Sequence, residues 1–435
     1  MKRKKFQKKY IGNGGCRMKK RRIFRNLNDK EFAWVLYDVG NSAYTMLACA
    51  LIPIWFKAMA IGTRPGQLTS DQATAYYSMA IAVITIVVAL LGPVCGAISD
   101  HKGMKKIFFT TTVAVGVSGC ILNGFAYQWI AFLFLFAVTK IFYNMSLMFY
   151  DSMLNDITTE ERMDEVSSQG YAWGYIGSCV PFVICLLVVL NAGKIGITME
   201  IAMMVSFVII TVWWVIMTLP LLKTYHQKYY VEKKQHAFSE SFKRIGITLK
   251  NVKKEKKVFL FLLAFFFYID GVYTIIDMAT AYGSALGLSS TGLLLALLLT
   301  QIVAFPFAII FGRLAKKYSA EKLITVCIVA YLGVAIFAIF LHYQWQFWVL
   351  AVWVGMFQGG VQALSRSYFT KIIPANQSGE FFGLMDICGK GASFMGTTIV
   401  SLISQLTGNI NIGVGMIAVL FVIGIILFRR AAALE

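Results

Sequence analysis

Seven ionisable residues, Asp38, Lys140, Asp270, Asp277, Arg366, Asp386 and Lys390, lie inside stretches otherwise apolar enough to cross a membrane. A charge at the centre of a bilayer costs roughly 2.5–3.5 kcal/mol on insertion scales, so it persists where it faces a protein interior or a wet cavity and has a partner. The chemistry open to such a set is binding: a lysine for a carboxylate, a carboxylate for an ammonium group or a proton. Helical spacing gathers further polar residues onto the same faces. Asp38, Asn41, Ser42 and Thr45 share one stripe; Lys140, Asn144 and Asp151 share a second. Three more are Asp270, Tyr273, Thr274 and Asp277; Gln358, Gln362, Ser365 and Arg366; and Asp386, Lys390, Ser393 and Thr397. At a helical rise of about 1.5 Å per residue, Lys140, Asp270 and Lys390 fall near mid-bilayer, with Asp277 in the outer half. These four, with Asn41, Asn144, Tyr273, Gln358 and Gln362, form the expected solute or ion site. Asp38, Asp151, Arg366 and Asp386 fall nearer the cytoplasmic ends and are the expected gate or inter-half pairs. Asp386 and Lys390, four residues apart, equally suit a simple intrahelical ion pair. Asp151 with Arg366 equally suits a tether. Lys140 and Asp270 have no partner of opposite sign at helical pairing distance on their own helix and carry the functional expectation, a structural bridge being its plain alternative.

The elements that must position these residues are membrane helices. The chain is 58% hydrophobic and 14% charged, and its apolar runs are long enough to span lipid. Runs such as Ile81–Leu91 lack the alternation that a membrane β-barrel requires. Twelve spans are predicted, at 32–58, 73–98, 106–126, 128–153, 166–190, 197–222, 258–283, 290–312, 323–341, 345–370, 381–404 and 410–428. The fold class is therefore an all-α membrane protein of twelve transmembrane helices in two pseudo-symmetric six-helix halves. Residues 1–31 form a basic tail, 32–222 the first half, 223–257 a basic linker, 258–430 the second half, and 431–435 an expression scar. The charged start is too long for a cleaved signal peptide.

The net charge of +20 is uneven. Lysines and arginines crowd the tail, the 102–106, 223–257 and 313–322 loops and Arg429–Arg430, whereas the intervening loops hold little beyond Arg64 and Lys194. That alternation places both termini in the cytoplasm of a bacterial cell membrane. The basic face should attract anionic lipids, which explains the charge without nucleic acid. The acidic 156–165 loop is expected to pair with nearby bases. The eight cysteines are scattered singly, so neither a metal site nor a disulfide framework is predicted. No phosphate-binding loop or nucleophile elbow occurs, which argues against direct ATP drive, an enzyme or a cofactor. Ser167, Gly170, Gly174 and Gly177 make a small-residue face for close helix contact. Trp34, Trp55, Trp129, Trp345 and Trp348 lie near span ends, where interfacial tryptophans collect.

A shift of 215 positions superposes Ser152 on Ser367, Ile157 on Ile372, Glu165 on Glu380, Gly174 on Gly389 and Ser178 on Ser393, and sets Asp151 on Arg366. A shift of 216 sets Gly96 on Gly312. This is a parallel repeat, as in transporters built from two six-helix halves. After span 2 comes Gly96-Ala-Ile-Ser-Asp100-His-Lys102-Gly103-Met-Lys105-Lys106, which resembles the major facilitator loop pattern, with Lys102 one place late. Gly96 allows close helix approach and Gly103 a tight turn. Asp100 can meet the positive end of a neighbouring helix, and the lysines hold the loop at the cytoplasmic face. In the second-half copy Lys316 stands at the aspartate position, which reads as decay.

A narrower resemblance lies in Tyr37-Asp38-Val-Gly40-Asn41-Ser42-Ala43-Tyr44, in Phe142-Tyr143-Asn144 through Gly170-Tyr171-Ala172-Trp173-Gly174-Tyr175, in Asp270-Gly271-Val272, and in Gln358-Gly359-Gly360-Val361-Gln362 through Arg366. From about 32 to 428 the chain is similar to the "unknown major facilitator" branch, related to fungal vacuolar amino-acid effluxers. That resemblance implies a cavity lined by spans 1, 4, 7 and 10 with span 11 at its flank, and those spans carry the polar stripes. It implies secondary transport of a small-molecule solute by alternating access, amino-acid efflux first, with protons as candidate partners and a monomer as the working unit. A lipid or amphiphile transporter of the same fold, with an apolar half-cavity, is the first rival. A non-transporting membrane sensor or scaffold is the second.

Overall fold

The computed structural model describes residues 26–63, 66–232, 255–285, 287 and 289–434; the tail up to residue 25 and linker residues 233–254 lie outside the described residues. Twelve long helical segments follow in order: α1 Asp29–Ala60, α2 Ser70–Ser99, α3 Met104–Asn123, α4 Trp129–Ser152, α5 Met163–Leu190, α6 Met199–Thr224, α7 Lys256–Ala285, α8 Ser290–Leu314, α9 Ala320–Ile339, α10 Gln344–Ile372, α11 Ser378–Thr407 and α12 Ile410–Ala432. Eleven, counted among the described residues, are long and apolar enough to cross a membrane. The other, α11, has 30 residues, and the side chains of 390–394 lie outside the described residues.

Several helices start where the sequence supplies acceptors for their free N–H groups. Asn28 and Thr69 each form a capping box, with Glu31 and Gln72 respectively. Thr198 and Ser289 cap α6 and α8. Most helices outrun the expected spans by a few residues, because hydropathy falls at the first polar side chain while backbone bonding continues to the cap. The tenth, expected at 345–370, covers Gln344–Ile372. Two spans are not continuous α-helix. In α1 a π-helical turn at Leu47–Leu51 precedes Pro53, which has no N–H to give the preceding turn and crowds its carbonyls. In α12 the helix is interrupted after Gly415 and resumes at Ala418.

α1 packs on α5 and α6, α3 on α4, α7 on α12, and α8 on α10. Two seams join the first six helices to the second six: α2 with α11 and α5 with α8. Small residues make the first seam possible. A Cβ on Gly96 would strike the Gly379 carbonyl, and one on Gly383 would stand 2.7 Å from Pro93. The predicted small-residue face of α5 is used in the same way: a Cβ on Gly170 would come 2.8 Å from the Asp38 carboxylate, and Gly174 and Gly177 abut Ser42 and Val39 of α1.

Candidate functional site

At one end of the bundle four helices converge on Arg366. Its Nη1 donates to Asp151 Oδ1 at 2.8 Å and lies 3.6 Å from Asp38 Oδ2. Nε and Nη2 donate to the hydroxyl and carbonyl oxygens of Ser167, both at 2.9 Å. The guanidinium plane is enclosed by the rings of Tyr171, Trp34 and Tyr150 at 4.3, 4.6 and 5.5 Å. Tyr150 donates to Asp38 Oδ2, and Gly170 leaves room for both charged groups. A buried guanidinium is tolerated when its donors are met and its faces stacked. Thus α1, α4 and α5 of the first six helices grip α10 of the second through one residue, with two carboxylates for one cation.

Further contacts close the same end. Asp100 accepts from the backbone N–H groups of Gly379 and Glu380 at 2.8 and 3.0 Å, at the N-terminus of α11, where the helix dipole favours an anion. Gly103 has φ +76°, as the tight turn requires. Lys105 is fully buried, donating to Ser378 Oγ at 2.7 Å and lying 3.4 Å from Asp100. The reason is the carboxylate below it and the hydroxyl that α11 brings, which outweigh hydration; Lys106, one residue on, is half-buried. Lys316 pairs with Glu165 at 3.0 Å and Lys371 with Asp164 at 2.6 Å, so the acidic loop does meet bases of the other six helices. Asp156 instead holds the chain after α6: it accepts from Tyr225 Oη at 2.7 Å and from the N–H groups of Lys228 and Tyr229 at 2.9 and 3.0 Å. Burial and the Asp156 charge push the Tyr225 hydroxyl well above its ordinary range, so it remains a donor. That strap continues to Val231, whose N–H reaches the Asp100 carbonyl at 2.8 Å.

The expected solute residues do not form one cluster. Lys140 is half-buried beside the rings of Tyr143 and Tyr44, at 5.2 and 5.8 Å. Asp270 is fully buried; it bonds Gly396 N and Thr274 Oγ1 and makes no ion pair with Lys140. Asp277 is exposed. Asn41, Asn144 and Gln358 are buried, and Tyr273 is half-buried. Gln362 accepts from Tyr175 Oη at 2.9 Å. Asp386 is half-buried, and the side chain of Lys390 lies outside the described residues.

Three contributors escaped the sequence reading. Trp34, assigned to an interfacial belt by its place near a span end, is fully buried against Arg366 and donates to the Tyr150 carbonyl. Glu31 is more than a first-turn acid: it is buried and takes bonds from both Nε and Nη2 of Arg162 and from Thr158. Ser167, read only as a small packing residue, supplies two acceptors to Arg366. Each owes its role to a helix distant in sequence, which periodicity does not report.

A small cavity lies between α7, α8, α9, α10 and α12. Its walls are apolar apart from Thr274, Tyr282, Thr300, Gln301 and Gln358, and Gln358 Oε1 is buried with no hydrogen-bond partner in the described structure.

The family described as "Vacuole effluxer Atg22 like" matches residues 28–433. The MFS-type transporter YxiO of Bacillus subtilis is 42% identical over 410 residues, covering 93% of this chain and 95% of its own length. Autophagy-related protein 22 of Cryptococcus neoformans is 28% identical over 305 residues, 65% of this chain and 54% of its own length. Among solved structures, the major facilitator transporter FucP in its outward conformation superposes with a TM-score of 0.69 at 13% identity, over 92% of this chain and 98% of that one. That likeness concerns the fold.

Proposed function

We propose, for a chain that belongs to the Atg22-like vacuole effluxer family and has the major facilitator fold, that it exports a small zwitterionic or anionic solute by alternating access, amino acids being the first class to test. It is a multi-pass integral membrane protein and a transporter by family; the solute, the direction and the coupling are the proposal. The observation that carries the reading is the asymmetry of its charges. One end is sealed by pairs between the two sets of six helices, Arg366 with Asp151, Lys316 with Glu165 and Lys371 with Asp164, while Lys140 and Asp277 keep access to solvent. A sealed end with reachable charges beyond it suits one half-cycle of a rocking transporter. Lys140 then takes the solute carboxylate and Asp277 its ammonium group, with Asn144 and Tyr273 nearby on the same helices. Asp38, Asp151, Arg366 and Asp386 act as the gate.

In this reading the sealed end faces the cytoplasm of a bacterial cell membrane, the protein acts as a monomer, anionic lipids gather at the basic face, and a proton gradient drives export. The apolar cavity in the second six helices favours one rival, an amphiphile as solute, because its walls offer more carbon than charge.

Purified protein in liposomes, offered labelled amino acids and labelled amphiphiles in parallel, separates the readings. Saturable flux of zwitterions is expected. Flux of amphiphiles alone would replace the solute class. Binding without flux of either would indicate a sensor.

A further inference from the structure

Asp270 belongs neither to the gate nor to the solvent-reaching charges. It lies on α7 and is 0% exposed. Oδ1 accepts from Gly396 N on α11 at 3.0 Å and from Thr274 Oγ1 at 3.3 Å. Oδ2 is buried and has no hydrogen-bond partner among the described residues. Several other buried carboxylates are treated differently. Asp38, Asp100, Glu31 and Glu165 each have a lysine or arginine within 4 Å, and Asp156 takes three donors. No such cation pairs with Asp270 among the described residues.

The surrounding helices carry other titratable or charged groups. On α7 they are Tyr268, bonded to Ser365, with Tyr273 and the exposed Asp277. On α9 it is Tyr331, on α10 Arg366, held by Asp151, and on α11 Asp386 and Lys390, the latter with its side chain outside the described residues.

An unpaired negative charge in a membrane interior is costly, and the cheapest way to remove it is one proton on the orphan oxygen. A metal cation fits poorly. Oxygen-coordinated cations take about six ligands, whereas Asp270 and Thr274 are the oxygens gathered here and the Gly396 backbone closes in so tightly that a Cβ there would stand 2.8 Å from Asp270 Oδ1. The geometry points to Asp270 as a proton-binding site separate from the solute-facing Lys140, and we propose that this proton is the coupling ion of the transport cycle. This rests on the transporter reading above.

The architecture supplies a route from site to gate. α11 is bonded to Asp270 at Gly396 and to Asp100 at its first residues, so one helix registers both. Thr274, the donor to Asp270, also lines the apolar cavity of the second six helices. In the sealed state the carboxyl holds the proton on Oδ2. When α11 leaves Asp100 and the opposite end opens, the proton departs to that side and the carboxylate is restored, so one proton crosses for each cycle.

The test has a spectroscopic arm and a transport arm. Infrared difference spectra of the purified protein at neutral pH should contain a protonated-carboxyl band that Asp270→Asn removes and Asp270→Glu shifts. In liposomes, accumulation of solute driven by a pH gradient should fall at least tenfold in Asp270→Asn and survive in part in Asp270→Glu. If Asp270→Asn fails to fold, the Asp270→Glu shift decides the assignment. An unchanged band in either variant, or undiminished gradient-driven accumulation by Asp270→Asn, overturns the proposal. Wild-type protein that shows the band but moves no solute would sink the transporter reading and leave the proton site standing.

Discussion

Arg366 concentrates the energetics of the sealed end in one side chain. Removing one partner of a buried ion pair costs about 3–5 kcal/mol, because the other charge is left in a poor solvent. Asp151→Asn leaves Arg366 the longer pair with Asp38 at 3.6 Å, so it should cost less than that in stability, a few degrees at most, while slowing transport at least tenfold. Arg366→Lys keeps the charge but loses the planar fork that meets Ser167 and Asp151 together, so its flux should fall nearly as far as that of Arg366→Ala. Equal flux for Arg366→Lys and wild type would show that charge alone suffices. Lys140 sits against rings and not against a carboxylate. Lys140→Gln should raise the KM for an anionic or zwitterionic solute about tenfold while leaving the melting temperature nearly unchanged; a fall in stability without a KM change would make it a structural residue. Much at this scale was readable beforehand. A charge in an apolar run is conspicuous, and the 215-residue offset set Asp151 against Arg366, which the structure joins at 2.8 Å. What could not be read were partners whose chemistry is backbone or aromatic, such as the Ser167 carbonyl and the Trp34 ring.

The α2–α11 seam depends on glycine, and here backbone approach outranks side-chain chemistry. Gly379→Leu would place a side chain where Gly96 and Ser99 leave none, so the sealed end should fail to close. Distances between spin labels on the adjoining ends of α2 and α11 should lengthen, and an unchanged distance would mean the seam tolerates bulk. The strap after α6 is a second element-level device. It ties Asp156 to Tyr225, Lys228 and Tyr229 and then reaches the Asp100 carbonyl. Asp156→Ala should speed amide hydrogen exchange at Lys228 and Tyr229 by tenfold or more. Exchange as slow as in wild type would show the strap is held by other contacts. The spans themselves were legible from hydropathy, whereas the π-helical turn at Leu47–Leu51 was not, since only Pro53 hints at a disturbance and a proline does not say which kind of turn will absorb it.

Across the whole molecule the repeat is functional in outline and divergent in chemistry. In one copy Asp100 meets the start of α11 at Gly379 and Glu380; in the other Lys316, offset by 216, meets Glu165, the repeat mate of Glu380. The apparent decay of the second loop is thus a change from a helix-end contact to an ion pair at the matching seam. Lys316→Glu alone should weaken closure, and combining it with Glu165→Lys should restore it, as a double-mutant cycle would reveal. The sequence could not show this because a lysine at an aspartate position looks like loss until its partner is known. Alternating access requires these seams to part during each cycle. The most direct test of that requirement replaces Lys316 and Glu165 with cysteines and joins them with a short thiol cross-linker in liposomes. Flux should stop when the link is complete and return when a reducible link is cut. Undiminished flux through fully cross-linked protein would contradict the account.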